Sequence, residues 1–308
     1  MIAIESPGRT GLVGSPDRSV AATMRWWDSP LPGGPASLTE VRATWALIDG
    51  DVMQPMIRRR LRRSLGFCPR HTWLHALVEV ESSRASVNPA ADHQPFDSCV
   101  LYAELLGEAA VRLRTRATLR RYRRWTTRSP FAAEGRCPLC EPSGTGIHVP
   151  SSTGSVTGSA EPEAASLPVL VNTPLEAARW CRDTLGAWES RACPRCLQET
   201  GGASSAEPAE AAVVGQSSGS LRDDGARAGL CRPHLLAGSP PSPDDLRRQA
   251  AYLGTLRGSV LGLLEWMTFR EGPATTRRRA AWIETLGWFA GWRVPLLLAQ
   301  WPPQGPRA

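Results

Sequence analysis

The chain contains no lysine, so all 36 of its lysine-plus-arginine positions are arginine. Tyrosine and phenylalanine are scarce, at three and five residues, whereas tryptophan occurs 12 times. Arginine alone therefore produces the net charge of +7. An arginine-only set of cations is typical of codon usage in a GC-rich genome and does not by itself indicate a function.

Long apolar runs are also missing. Arg257 interrupts one apolar stretch, and Glu284 and Arg293 bracket another, so neither reaches the length of a membrane span. Residues 1–16 contain no apolar segment of the kind found in secretory signal peptides. The sequence therefore predicts a soluble, cytoplasmic protein that does not contact a membrane.

Much of the glycine and proline, 28 and 27 residues, lies in stretches rich in Ser and Ala that lack an apolar pattern. These stretches predict disorder, and they divide the chain into two helical regions at 37–140 and 170–301. The first region is rich in arginine. The predicted disordered segments are the N-terminal residues 1–36, a linker at 141–169, an insert at 200–220 and a tail at 302–308.

Apolar residues elsewhere recur at helical spacing, bounded by capping residues and prolines. One N-terminus is the capping box Ser37-Leu38-Thr39-Glu40, and another is Ser242-Pro243-Asp244-Asp245. The predicted helices begin at Leu38, Pro55, Cys68, Ser98, Thr173, Pro243 and Thr276. The fold class is therefore all-α, a helical bundle with zinc knuckles at helix junctions and long disordered inserts.

Cysteine and histidine form four half-sites with fixed spacing. Two have the form C-x2-C and two have the form C-x2-H, and each supplies two ligands: Cys68 and His71, Cys137 and Cys140, Cys193 and Cys196, Cys231 and His234. Zinc takes four tetrahedral ligands, so the half-sites make up two complete Cys3His sites with none left over. The sequence therefore predicts two zinc ions per chain.

Other interpretations of these cysteines remain open. A thioredoxin-like redox pair would need a neighbouring βαβ unit, which the sequence does not indicate. Disulfides would need a secretory route, and unliganded thiols would require four coincidences of spacing. Cys99 and Cys181 lie on helical faces and are predicted to be small core residues. His75 could replace His71 as a ligand, although a supporting or surface role fits it better.

The half-sites can pair in two ways. In the local pairing, the 68/71 half-site joins the 137/140 half-site, and the 193/196 half-site joins the 231/234 half-site. The second pair is separated by the predicted disordered insert, and closing a loop of this kind costs little entropy. In the crossed pairing, the 68/71 half-site joins 193/196, and 137/140 joins 231/234. Local pairing is favoured, and crossed pairing stays open.

The ligand sets favour a structural role over catalysis. A catalytic zinc keeps a position open for water, whereas each predicted site has four protein ligands, three of which are thiolates. The chain also lacks the common zinc-hydrolase, nucleotide-binding and serine-hydrolase motifs. We therefore expect a binding or scaffolding protein with an unknown protein partner; a thiol- or metal-responsive sensor is an alternative.

Arginine is concentrated at 58–63 and 112–128, the second stretch with Tyr122 and Trp125 interleaved. Such clusters can bind phosphates and stack on bases, which makes a nucleic-acid-binding regulator the first alternative to a binding or scaffolding role, ahead of the sensor. The predicted contacts are Arg58, Arg59, Arg60, Arg62, Arg63, Arg120, Arg121, Arg123 and Arg124. Two solvated helix faces in an arginine-only chain explain the same pattern, and this interpretation is favoured over nucleic-acid binding.

The half-sites C-P-x-C and G-[FL]-C-x-x-H together resemble an uncharacterised bacterial family of Cys/His-rich proteins. The matching stretches are Ser64–His71, Val100–Leu106, Cys193–Cys196 and Gly229–His234. In that family a C-x2-C often precedes the first G-F-C-x-x-H, but here no cysteine precedes Cys68 and Trp26-Trp27-Asp28-Ser29-Pro30 stands upstream. The resemblance implies a helical metal-binding fold and no established activity.

Overall fold

A computed structural model describes residues 30–48, 54–85, 95–119, 131–140, 175–201, 229–238, 241–269 and 272–300. All regular structure within these ranges is helical, which confirms the all-α prediction. The helices are α1 (Leu38–Ile48), α2 (Pro55–Ser64), α3 (Pro69–Ala85), α4 (Phe96–Leu119), α5 (Leu175–Asp183), α6 (Leu185–Trp188), α7 (Pro194–Glu199), α8 (Arg232–Ala237), α9 (Pro243–Phe269), α10 (Thr276–Ala290) and α11 (Arg293–Ala299).

The two longest helices, α4 and α9, form the most extensive helix–helix contact of the described structure. Helix α10 packs against α9 and α3, α1 packs against α3, and α11 packs against α5. Buried apolar side chains from both predicted helical regions form one core cluster. The N-terminal and C-terminal helices are therefore parts of a single packed unit.

Tryptophan supplies the largest side chains of this core. Trp73, Trp188, Trp282, Trp288 and Trp292 are all almost fully buried. The rings of Trp188 and Trp292 stack at 5.6 Å between centroids, and the rings of Trp73 and Trp282 meet edge to face at 6.4 Å. The abundant tryptophan of the sequence is thus used largely for packing.

Two of the predicted helix starts are capped as the sequence indicates. At α1, the Ser37 N–H donates to Glu40 Oε2 at 2.8 Å, and the Glu40 N–H donates to Ser37 Oγ at 3.1 Å. At α9, Ser242 and Asp245 make the same reciprocal pair at 2.8 and 3.1 Å. Each pair satisfies two backbone donors that a helix start leaves unpaired.

The structure departs from the predicted helices at one junction. The helix predicted from Thr173 to Trp188 is broken at Thr184 into α5 and α6. The Thr184 hydroxyl donates to the Trp180 carbonyl at 2.7 Å and accepts the Trp188 Nε1–H at 3.1 Å. A side chain that bonds to a backbone carbonyl one turn earlier competes with the helical pattern and favours such a break.

Helices α7, α8 and α11 were not predicted, because elements of six or seven residues are too short to display a helical period. The predicted linker at 141–169 and tail at 302–308 lie outside the described residues, as do nearly all of the insert at 200–220 and residues 1–29 of the N-terminal segment. No described helix is both long and apolar enough to cross a membrane.

Residues 30–36, which the composition places in the N-terminal disordered segment, are described and packed. Leu31 and Ala36 are buried. The Arg70 guanidinium donates to the carbonyl oxygens of Pro32 and Gly34 at 2.9 and 2.6 Å. Contacts to main-chain carbonyls depend on no side-chain pattern, so composition alone did not reveal them.

Candidate metal centres

Three of the four half-sites lie at the first turn of a helix. Cys68 directly precedes α3, and Cys193 and Cys231 are the N-cap residues of α7 and α8. A second ligand three residues later then lies on the same face of the first turn. The fourth half-site is a turn in which the Cys140 N–H donates to the Cys137 carbonyl at 3.0 Å. Each half-site thus presents two ligand atoms in one direction.

Site 1 consists of Cys68, His71, Cys137 and Cys140. His71 Nδ1 lies 3.2 Å from Cys68 Sγ, 3.5 Å from Cys137 Sγ and 3.3 Å from Cys140 Sγ. The sulfurs of Cys68 and Cys140 are 3.6 Å apart. One histidine nitrogen and three sulfurs therefore surround a common centre.

Site 2 consists of Cys193, Cys196, Cys231 and His234. His234 Nδ1 lies 3.3 Å from Cys193 Sγ, 3.5 Å from Cys196 Sγ and 3.1 Å from Cys231 Sγ. The sulfurs of Cys196 and Cys231 are 3.7 Å apart. The eight predicted ligand residues thus form two clusters of four. The half-sites are paired locally, 68/71 with 137/140 and 193/196 with 231/234, and not in the crossed way.

These spacings match the edges of a coordination tetrahedron. With Zn–S bonds of about 2.3 Å and a Zn–N bond of about 2.0 Å, neighbouring ligand atoms lie about 3.5–3.8 Å apart. The observed separations of 3.1–3.7 Å are equal to this or slightly shorter. All four ligand atoms of each site lie within 4.8 Å of one another, so each site could hold one metal ion.

The two histidines are oriented alike. Each directs Nδ1 into its cluster and Nε2 toward a carboxylate: His71 Nε2 lies 3.3 Å from Glu40 Oε1, and His234 Nε2 lies 2.8 Å from Glu199 Oε1. A carboxylate on the outer nitrogen fixes the tautomer in which Nδ1 carries the free lone pair. The ring is thereby set for a ligand role in both sites.

Because the thiols of each site lie close together, the pKa of one is lowered while the pKa of its neighbours is raised. In site 1, a hydrogen bond from Cys137, aided by His71, lowers the pKa of the Cys68 thiol to about 3, and the pKa of Cys137 is raised because it donates to Cys68. In site 2, hydrogen bonds from Cys196 and Cys231 lower the pKa of Cys193, and donation to Cys193 raises that of Cys196 to about 12. Three adjacent thiolates repel one another, so a cation is needed for all three to ionise.

The two sites differ in exposure. Cys140 is exposed at site 1, whereas all three cysteines of site 2 are buried. Site 2 is also tied to the C-terminal helices, because the Trp292 N–H donates to Cys196 Sγ at 3.4 Å. Thiolates that accept backbone hydrogen bonds are common around metal sites, where they spread the negative charge.

The remaining predicted residues lie apart from the two clusters. Cys99 and Cys181 are buried in the core, as predicted, and burial raises the pKa of both thiols. His75 is not a surface residue: it is fully buried, stacks on Phe67 and contacts Ser98 Oγ through Nδ1 at 2.8 Å. It is not part of site 1.

The arginines predicted to contact nucleic acid are only partly described. Arg58 and Arg62 both form ion pairs with Glu104 on α4, whereas Arg59 and Arg63 are exposed on α2. Arg60 is half-buried. Arg120, Arg121, Arg123 and Arg124 lie outside the described residues. Nucleic-acid binding therefore stays a prediction.

Sequence reasoning missed three residues that the structure places beside the sites: Glu40, Glu199 and Arg232. Glu40 was recognised only as a capping residue, and its contact with His71 depends on the packing of α1 against α3. Glu199 and Arg232 belong to the short helices α7 and α8, which have no periodic signal. No local pattern in the sequence marks any of these contacts.

Comparison of the chain with family models, with curated proteins and with solved structures finds no match.

Proposed function

We propose that the protein is a non-catalytic zinc protein whose two Cys3His sites hold its helices in place, with a binding or scaffolding role in the cytoplasm. The observation that carries this proposal is the close grouping of four ligand atoms in each of two clusters, together with a carboxylate near the outer nitrogen of each histidine. Thiolate and imidazole ligands in tetrahedral geometry are the set that zinc prefers in structural sites.

The donor set argues against catalysis at either site. Four protein ligands fill a tetrahedral centre and leave no position for water or substrate. Three thiolates also more than neutralise a divalent ion, which weakens it as a Lewis acid. The ligand sets are thus suited to holding structure together.

Each site connects segments that are distant in sequence. Site 1 joins the start of α3 to the turn at 137–140, and site 2 joins the start of α7 to the start of α8. Short helices such as α7 and α8 are marginal alone, because a few hydrogen bonds do not offset the cost of ordering them. Metal binding supplies the free energy that orders them.

Removal of the metal tests the structural role. The zinc-loaded, reduced protein is treated with a chelator, and its resistance to a protease is compared before treatment, after treatment and after zinc is restored. We expect rapid cleavage of the metal-free chain and recovery of resistance with zinc. Unchanged resistance after complete loss of metal would refute a structural role.

A thiol-responsive role is the second candidate, and the exposure of Cys140 at site 1 favours it. Oxidation of the Cys137 and Cys140 thiolates by hydrogen peroxide would form a disulfide and release the ion. The two sulfurs together give up two electrons, which break the O–O bond of the peroxide and yield two hydroxide ions. Titration with hydrogen peroxide tests this role: site 1 should lose its zinc before the buried site 2 does. Equal rates of zinc release would exclude a dedicated sensor at site 1.

A further inference from the structure

Arg232 directly follows the site 2 residue Cys231, but its side chain extends to the segments that carry site 1. The guanidinium donates from Nη1 to the Leu65 carbonyl at 2.8 Å, from Nη2 to the Ser64 carbonyl at 3.2 Å and from Nε to the Phe131 carbonyl at 2.9 Å. The residue is only 7% exposed. A buried cation thus bonds to three backbone oxygens of two other segments.

Both of those segments lead into ligands of site 1. Ser64 and Leu65 end α2 just before Cys68, and Phe131 begins the described stretch that reaches Cys137. Charge-assisted hydrogen bonds in a buried setting are among the stronger polar contacts of a protein. The position of Arg232 therefore bears on how well the site 1 ligands are arranged.

The turn that Arg232 contacts needs such support. Leu65 adopts a left-handed conformation with φ of 52°, the only described non-glycine residue with a positive φ, and Gly66 follows at 91°. The Leu65 conformation is unfavourable for a residue with a side chain, and it persists only where the surroundings impose it. A donor on the Leu65 carbonyl helps to hold the turn that positions Cys68.

We propose that Arg232 is a positioning residue that couples the two metal sites, so that a metal ion at either site raises the affinity of the other. An ion at site 2 fixes Cys231 and with it the base of the Arg232 side chain. The guanidinium then holds the turn before Cys68 and the segment before Cys137. Coupling between binding sites is reciprocal, so an ion at site 1 favours site 2 by the same factor. This inference rests on the proposed zinc binding.

A second, weaker contact also connects the sites. Trp73 on α3, near His71, donates from Nε1 to the Gly291 carbonyl at 3.1 Å, and the next residue, Trp292, donates its N–H to Cys196 Sγ. Each of these two contacts is one hydrogen bond from an uncharged donor, whereas the charged guanidinium of Arg232 donates three hydrogen bonds. We therefore assign most of the coupling to Arg232.

Three zinc-binding constants measure the coupling factor directly. Chelator competition on the reduced full chain gives the overall constant for two ions, the Cys68→Ser variant gives the constant of site 2 alone, and the Cys231→Ser variant gives that of site 1 alone. The overall constant divided by the product of the two single-site constants is the coupling factor. We expect about 10-fold or more, within the range typical of coupled sites.

The same measurement in an Arg232→Met background tests the residue. Methionine keeps an apolar stem and removes all three donors, so the coupling factor should fall below about 3-fold. Arg195→Met is the matched control, because Arg195 also adjoins a site 2 cysteine but is exposed, and it should leave the factor unchanged. A residue that only stabilises the fold would alter the single-site constants and leave the factor intact.

Each result decides a separate point. Two bound ions with a coupling factor near 1 would refute the coupling and leave the zinc proposal standing. A large factor that persists in Arg232→Met would refute the role of Arg232, and failure to bind two ions would refute the zinc proposal itself. If Arg232→Met does not fold, Arg232→Lys replaces it: one ammonium reaches fewer carbonyls, so an intermediate factor supports the role and an unchanged factor refutes it.

Discussion

His234 places Nε2 2.8 Å from Glu199 Oε1 while its Nδ1 lies within 3.5 Å of all three site 2 sulfurs. The ring therefore connects a carboxylate on α7 to the cluster. Glu40 takes the corresponding place at site 1, with a longer separation of 3.3 Å between its Oε1 and His71 Nε2. Two sites that share no sequence beyond their half-sites use the same support for the histidine.

Glu199→Ala should weaken zinc binding at site 2 by about 10-fold, since loss of a carboxylate behind a metal-bound histidine usually costs that much or more. The stability of the zinc-loaded protein should change little, because Glu199 is exposed. Chelator competition measures the affinity. Glu265→Ala, at an exposed acid on α9, is the control, and equal affinities in the two variants would count against the role of Glu199.

Glu40→Ala should lower both zinc affinity at site 1 and the free energy of unfolding. Besides His71, Glu40 accepts from the Ser37 N–H at 2.8 Å and binds the Arg70 guanidinium at 2.9 and 3.0 Å. We expect about 1–3 kcal/mol of destabilisation from the lost helix cap and ion pair. Denaturant unfolding measures it, and a loss no larger than that of Glu199→Ala would contradict this assignment.

Gly287 and Gly258 form a matched pair of helical glycines. A Cβ on Gly287 would lie 2.7 Å from ring atoms of Trp292, whereas a Cβ on Gly258 would meet nothing within 4 Å. Gly287→Ala should therefore destabilise the protein by about 1–3 kcal/mol through overpacking. Gly258→Ala should stabilise it by about 0.5–1 kcal/mol through helix propensity.

Thermal unfolding of both variants provides the measurement. Because Trp292 also donates its N–H to Cys196, Gly287→Ala should in addition weaken zinc binding at site 2. If both alanine substitutions stabilise the protein, Gly287 of α10 does not pack against the Trp292 ring as closely as the structure shows.

His75 should contribute to a loss of stability in acid. Burial lowers the pKa of this imidazole from its usual value to about 4. The unfolded chain therefore takes up a proton near pH 6.5 that the folded chain refuses until about pH 4, so the free energy of unfolding falls as the pH drops through this window. For one group the loss is about 3 kcal/mol at most.

His75→Gln removes this group and keeps a polar side chain opposite Ser98, with which His75 Nδ1 is in contact. Unfolding by denaturant between pH 7 and pH 4 should show a shallower decline for the variant than for the parent protein. Acid release of zinc affects both proteins, so the difference between them isolates His75. Parallel declines would show that His75 is not buried as a neutral ring.

The sequence alone was sufficient to predict those helices and metal ligands that are marked by local residue patterns. Ser37 and Glu40 mark the start of α1 because a capping box is a contact between near neighbours. The pairs Cys68/His71 and Cys193/Cys196 were recognisable because ligands three residues apart lie on one helical turn. Such features need no knowledge of tertiary structure.

Tertiary features were not accessible in the same way. The spacing of the half-sites along the sequence does not decide between local and crossed pairing. Both pairings close loops whose entropic cost is tolerable, since this cost grows only slowly with loop length. The bonds from Arg232 to the Ser64 and Leu65 carbonyls use backbone acceptors that every residue offers. The break at Thr184 depends on a hydroxyl that also satisfies the buried indole of Trp188.

The zinc content of ligand variants tests the central claim most directly. Protein purified under reducing conditions and analysed by elemental analysis and native mass spectrometry should carry two zinc ions per chain. Cys137→Ser and Cys231→Ser should each lose one ion and together lose both, whereas Cys193→Ser combined with Cys231→Ser should still keep one. A folded chain without metal would contradict the zinc sites themselves. Loss of both ions in the 193/231 double variant would place Cys193 and Cys231 in different sites and so contradict the local pairing of the half-sites.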